Sequence, residues 1–343
     1  MSVMDKLKKS STVKGTNVLS KSEFFGTKKS VSIDVPMLNV ALSGKLDTGL
    51  VSGMTVLAGP SKHFKTSFAL KIASAYMAAD PEAMMLFYDS EFGSPQSYFE
   101  TFGIDIDRVL HTPITNVEEL KFDLINQLET IDKKDKVIVV IDSIGNLASK
   151  KELEDAKDMK GVADMSRAKA LKGLFRMTTP YLTMKDIPLL AINHTYKEIG
   201  LFPKDIVGGG TGIYYSADNI WIIGRRQNKT GMEVLGYDFI VKVEKSRYVK
   251  EQSKIPITVS WEGGIEKYSG LLEIALLGGF VTKPSNGWYQ KAGTENKVRQ
   301  KDTLTKEFWS DILSQQDFQA FIEKTYCIGQ RAEVNLDMIE EAL

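Results

Sequence analysis

The nine residues GPSKHFKTS, Gly59 to Ser67, set glycine, hydroxyl side chains and lysine between an apolar run and an amphipathic one. A loop so placed aims backbone N–H groups and a helix start at phosphate oxygens, while a lysine reaches the terminal phosphates and a hydroxyl ligates magnesium. Lys65 and Thr66 occupy those two places, with Gly59, Pro60, Ser61, Lys62, His63, Phe64 and Ser67 completing the cradle. In the general pattern GxxxxGK[ST] a glycine precedes the lysine. Here Phe64 stands there, so the stretch alone reads equally as a nucleotide site or as a lysine-rich turn between strand and helix.

Three other apolar runs end in polar groups. KVIVVIDS ends on Asp142, where a carboxylate can hold magnesium through water and gains weight from the company of Lys65 and Thr66. MMLFYDSEF ends with Asp89 and Glu91; Glu91 is either the base that polarises a water at a γ-phosphate or an exposed loop acid. IPLLAINHTY ends with Asn193 and His194, either a phosphate sensor or a satisfied structural pair. The three histidines show no metal-ligand spacing, so zinc is not expected. No GxGxxG follows the first strand, which sets a dinucleotide dehydrogenase aside.

These groups need a frame. From Met54, short apolar runs (MTVLAG, MMLFYD, RVLHT, KVIVVID, IPLLAIN) alternate with segments whose apolar residues recur every three or four positions. That is the pattern of a mainly parallel sheet covered by helices, an α/β fold with ligands at the strand C-termini. Beyond Gly212, NIWIIGRR, YDFIVKVEKSR and IPITVSW predict antiparallel strands extending the sheet. The core is expected over 32–266, preceded by an arm over 1–31 with Phe24 and Phe25, and followed by a small α+β module over 267–343. In that module SGLLEIALLGGF predicts a helix, GWYQKAG a hairpin or loop, and residues 304–326 two short helices.

The chain has 343 residues, 43% of them hydrophobic, and 44 basic against 44 acidic side chains, so any nucleic-acid site must be local. A single cysteine, Cys327, excludes an internal disulfide and suits a reducing compartment. No run approaches the ~20 apolar residues of a membrane helix, and the N-terminus has no signal-peptide pattern. A cytoplasmic protein without a membrane partner is expected, in the host cytoplasm if phage-encoded.

The order of the motifs carries a resemblance. The phosphate loop, FYDSEFG, VIDSIGNLASKKE, AINHTY and VGGGTG follow one another as in the RecA family, and the phenylalanine before the lysine resembles its phage UvsX subgroup. The resemblance covers nearly the whole chain. It implies a RecA-like P-loop ATPase core, ATP and Mg2+ as cofactors, Glu91 as catalytic glutamate, and His194 where bacterial relatives carry a coupling glutamine. It places Tyr98, and Tyr268 as a second aromatic, against adenine. It makes Lys245 and Arg247, in VEKSRY, cations that reach a neighbour's ATP, an arrangement that ties hydrolysis to assembly.

By the same resemblance, residues 150–166 and 195–212 are mobile loops facing DNA, with Lys197, Lys204, Gly208, Gly209, Gly210 and Gly212 as contacts. Lys169, Lys172 and Arg176 fall on one helix face at i, i+3 and i+7 and form a phosphate-tracking stripe. The implied protein is a DNA-dependent ATPase, yielding ADP or, in a further step, AMP. It forms a helical filament on single-stranded DNA through its arm, with SVSIDV adding to a neighbour's sheet, and pairs that DNA with duplex. Its implied partners are a single-strand-binding protein, a loader and a helicase of the same phage. A hexameric helicase on the same core and a non-hydrolysing mediator are the alternatives.

Overall fold

A computed structural model describes residues 2–13, 15–22, 28–158, 166–198, 200, 203–230 and 233–329. Its strands are β1 Gly53–Ala58, β2 Met84–Asp89, β3 Val109–Pro113, β4 Val137–Asp142, β5 Pro188–Asn193, β6 Thr195–Lys197, β7 Asp205–Val207, β8 Asn219–Thr230, β9 Glu233–Ser246, β10 Lys254–Ser260, β11 Gly264–Ile265, β12 Val281–Ser285, β13 Trp288–Lys291 and β14 Lys297–Arg299. The α-helices are α1 Val3–Ser10, α2 Pro36–Ser43, α3 Lys65–Ala79, α4 Gln96–Thr101, α5 Val117–Thr130, α6 Lys150–Lys157, α7 Ser166–Met184, α8 Thr211–Ser216, α9 Leu271–Leu277, α10 Lys306–Ser314 and α11 Gln316–Tyr326.

Nine strands form one sheet in the order β11-β10-β9-β8-β1-β5-β4-β2-β3. The run from β8 to β3 is parallel, and β9, β10 and β11 continue it antiparallel. Period-two alternation sends successive side chains to opposite faces. Leu57, Val140 and Ile192 join a core with α2 and α3, while Val56, Ile141 and Ala191 join one with α5, α7 and α8. Strands buried on both sides read as unbroken apolar runs, which is why they stand out in the sequence.

The first core continues past residue 266: Trp309, Phe318, Ile322 and Tyr326 pack into it. Cys327 seats its Sγ near Ser43 O, 3.7 Å away, and Val249 bridges to Cys327. The small sheet β12-β13-β14 makes GWYQKAG a central strand.

Several expectations need correction. Residues 150–157 are helix α6, because Ser149 and Glu152 form a reciprocal cap that starts it. Within 195–212, β6 and β7 pair as a hairpin and α8 begins at Thr211. SVSIDV is not an edge strand: Val31 makes one bridge to Leu50, and Ile33 and Val35 are buried in the chain's own core. Helix α2, which the sequence reading missed, follows directly, with Pro36 at its first turn and Gly44 closing it. Phe24 and Phe25 lie outside the described residues. Helix α1 buries none of its residues.

Candidate active site

The loop from β1 to α3 holds the phosphate-type residues. No side chain caps the first turn of α3, so its leading N–H groups remain available to an anion. Phe64 and Lys62 both adopt left-handed backbone, at φ 55° and 61°. That conformation explains the glycine of the general pattern, and it strains phenylalanine. The Phe64 ring packs on Phe239 with centroids 5.1 Å apart, a contact that offsets the strain. Gly59 ties the loop to β5 through its N–H to Asn193 O at 3.3 Å.

Lys65 is buried and donates to Pro60 O at 2.8 Å. Burial lowers its pKa, opposed by Glu91 and Asp142. Thr66 Oγ1 donates to Asp142 Oδ2 at 2.7 Å, and Asp142 Oδ1 is buried without a partner. Burial pushes the Asp142 carboxyl up to about 6, against the Thr66 hydrogen bond. A hydroxyl and a carboxylate with a spare, dry oxygen form a hard donor set that suits Mg2+, so the residues present fit that ion.

The other strand ends converge on the same place. Glu91 Oε1 lies 3.2 Å from His194 Nε2 and accepts from Asn146 Nδ2 at 3.3 Å. The hydrogen bond from His194 is the main reason its carboxyl sits below the usual glutamate value. A cavity of about 470 Å³ collects Ser61 to Ser67, Glu91, Tyr98, Asp142 and His194. Tyr98 hydrogen-bonds Ser67 Oγ and packs edge-on against Phe102 at 5.5 Å, so it is both cavity wall and core margin. Tyr268 does not line this cavity; it rests half-buried against the core with Lys267 over its ring.

Lys245 and Arg247 also stand away from the cavity of their own chain. Lys245 Nζ donates to the carbonyls of Tyr214 and Ala217 at the end of α8, and Arg247 pairs with Asp218. The Arg247 side chain is 61% exposed, which leaves it presentable to another molecule.

A separate groove of about 570 Å³ brings Lys169 and Lys172 of α7 beside Gly210 and Gly212. Arg176 continues it with Lys172 and Tyr215. All three cations are exposed and, among the described residues, make no ion pair. The glycines have a packing reason of their own: a Cβ on Gly212 would fall 2.8 Å from Lys172 Cα, so glycine lets α8 dock on α7. Lys197 pairs with Asp205 across the β6–β7 hairpin at 2.8 Å, and Lys204 is exposed at its turn end.

The sequence reading missed the ties between these sites. Asn193 Nδ2 donates to Gly208 O at 2.7 Å and Gly208 N to His194 O at 3.0 Å, joining the end of β5 to the glycine run. Arg167 donates to the carbonyls of Ile144, Gly145 and Leu147, at 2.8, 3.0 and 2.6 Å, clamping the turn after Asp142 to α7. A Cβ on Gly145 would fall 2.4 Å from His194 Cδ2, so the imidazole lies directly on that turn. Only the cluster of polar residues after two apolar runs hinted at these roles; Arg167 gave no signal beyond its place beside a basic stripe.

The RecA N-terminal domain family matches residues 18–266, and the family described as Bacteriophage T4, Recombination and repair protein, C-terminal domain matches 268–322. The recombination and repair protein of Enterobacteria phage T4 is 49% identical over 94% of this chain and 85% of its own. Protein RecA of Syntrophus aciditrophicus is 27% identical over 73% of this chain and 71% of its own. Among solved structures, the crystal structure of the RadB recombinase matches 64% of this chain and 92% of its own, at 18% identity and TM-score 0.48. On the extent of the RecA match and the level of identity to the T4 protein, the chain belongs to the RecA family.

Proposed function

We propose that this chain is an ATP-dependent DNA strand-exchange recombinase of recombination, repair and recombination-dependent replication. The observation that carries the reading is the meeting, in one cavity, of Lys65, Thr66, Asp142, Glu91 and His194 from four strand ends. Family membership makes the activity a DNA-dependent ATPase that uses nucleotide and Mg2+.

In this site the first-turn amides of α3 and Lys65 hold the β- and γ-phosphates, and Tyr98 flanks the base. Thr66 and Asp142 would hold Mg2+, which would neutralise phosphate charge. Glu91, kept ionised by His194, accepts a hydrogen bond from the attacking water and orients it in line with the γ-phosphate. His194 touches both Glu91 and the turn clamped by Arg167, and its strand continues through Asn193 to Gly208, so the state of the γ-phosphate reaches α7 and the glycine run. Lys245 and Arg247 complete the site of the adjacent copy, and Tyr268 is a second aromatic for the adenine. ADP is the product, with AMP as a further product to be sought.

The DNA-facing surface is the groove of Lys169, Lys172, Arg176 and Gly208 to Gly212, flanked by Lys197 and Lys204. It reads phosphates rather than bases, as sequence-independent pairing requires. We divide the chain into a docking arm over 1–31, the ATPase and DNA-binding core over 32–266 and a module over 267–343. A single-strand-binding protein, a loader and a helicase of the same phage are the expected partners.

Two measurements test the reading. Single-stranded DNA should stimulate phosphate release at least tenfold, and electron microscopy with DNA and an ATP analogue should show extended helical filaments. Discrete rings would favour a helicase, and ATP binding without turnover a mediator.

A further inference from the structure

The turn that carries Glu91 is held from behind by a group unrelated to ATP contact. Asp89, the last residue of β2, is buried, with its side chain 6% exposed. Its Oδ1 accepts two backbone N–H groups, from Glu91 at 2.9 Å and Phe92 at 2.8 Å. Phe92 takes left-handed backbone at φ 54° and leaves its ring 63% exposed, so the turn gains little from packing at that residue. The other oxygen, Oδ2, faces His111 Nε2 from β3 at 3.3 Å. An ionised carboxylate only accepts, so Nε2 carries the proton.

The register explains how His111 comes there. Phe87 pairs with His111 in the parallel β2–β3 ladder, and Phe87 and Asp89 share one face of β2. The imidazole stacks on Phe87 with centroids 5.9 Å apart and planes 26° apart, which fixes its plane toward Asp89. Behind the turn lies a second cavity of about 490 Å³, lined by Asp89, Phe92 and His111, and separated from the nucleotide cavity by Gly93, Ser94 and Pro95, which line both. With a void behind it, the segment is held in place by the Asp89 hydrogen bonds more than by packing.

We infer that Asp89 and His111 are positioning residues: His111 orients Asp89, and Asp89 fixes the turn that aims Glu91 at the attacking water. The inference deepens the proposed reading and rests on Glu91 as water activator. Loss of the tie costs aim rather than nucleotide affinity, since none of the groups that hold phosphate touches it. A catalytic group displaced by a fraction of an ångström loses on the order of tenfold in rate.

The test uses the full chain saturated with single-stranded DNA and measures kcat and KM for ATP. H111F keeps the ring stack and removes the donor; it should lower kcat on the order of tenfold, with KM within about twofold of the unmodified chain. H111Q returns a donor without the ring and should recover part of that loss. In an E91Q background H111F should leave the residual rate unchanged, because the group it aims is already gone. A normal kcat in H111F beside an inactive E91Q overturns this inference alone. So does a raised KM at unchanged kcat, or the same fractional loss in both backgrounds. E91Q turning over like the unmodified chain overturns the assignment of Glu91 and, with it, this inference.

Discussion

The nucleotide cavity and the groove between α7 and α8 are both built to meet phosphate, by opposite means. In the cavity Lys65 and Asp142 are buried, and the acting charged groups are already engaged: Lys65 on Pro60 O, Asp142 on Thr66, Glu91 on His194. In the groove Lys169, Lys172 and Arg176 are exposed, with no ion partner among the described residues. Preorganised groups in a low-dielectric site discriminate sharply and are lost sharply, whereas exposed cations add up, are screened by salt and accept any sequence. The difference suits one site that must recognise a single triphosphate and another that must grip an arbitrary strand.

The largest effect should come from emptying the cavity and from removing the cations presented outward. K65A, and separately K245A with R247A, should each lower DNA-stimulated turnover by a factor on the order of 100 or more. Mixed in equal amounts they should recover about a quarter of normal turnover, since random head-to-tail assembly sets an intact cavity against intact cations at one interface in four. No recovery on mixing would place Lys245 and Arg247 in a structural role at the end of α8, where their bonds to Tyr214, Ala217 and Asp218 already put them.

A smaller effect should separate His194 from the rest of the cavity. Its hydrogen bond holds the Glu91 carboxyl below the usual value, so Glu91 stays ionised to lower pH in the intact site. With H194A that support is gone and the carboxyl takes a proton at higher pH. The acid limb of the kcat profile should therefore move upward in pH, with nucleotide binding at neutral pH retained. An unmoved limb would separate the 3.2 Å contact from catalysis.

Smaller again are the groove cations. K169A, K172A and R176A should each lower the slope of log affinity against log salt by about 0.7 for single-stranded DNA. Their effects should add, and ATP affinity without DNA should not change. A single variant that abolished DNA binding would contradict the additive picture.

The parallel strands were legible because burial on both faces leaves unbroken apolar runs with polar residues at their ends, and those ends are where the cavity forms. MMLFYD is strand β2 residue for residue. The arm's neighbourhood and the DNA-side segments were read less well. α6 depends on a local cap at Ser149, and SVSIDV alternates like a strand but spends Ile33 and Val35 on its own core. The glycine run was read as a flexible loop, yet Gly212 is required by the approach of α8 to α7. The ties through Asn193 and Arg167 were invisible because each joins residues distant in sequence through a backbone carbonyl, which no spacing encodes, and Asp89 meets His111 only through the β2–β3 register.

The smallest expected effect concerns the one place where the phosphate loop departs from the general pattern. Phe64 holds left-handed backbone at φ 55°, which costs a side-chain-bearing residue about 1 kcal/mol. Its half-buried ring contacts Phe239, and removing an aromatic ring from such a site loses about 2 kcal/mol. F64G relieves the first term and forfeits the second, so the chain should lose about 1 kcal/mol in chemical denaturation. ATP affinity should change by less than about threefold, because the amides of α3 and Lys65 are untouched by the exchange. A gain in stability would mean that the strain outweighs the ring contact. A large loss of ATP affinity would mean that the Phe64–Phe239 contact, and not the backbone path alone, sets the shape of the loop.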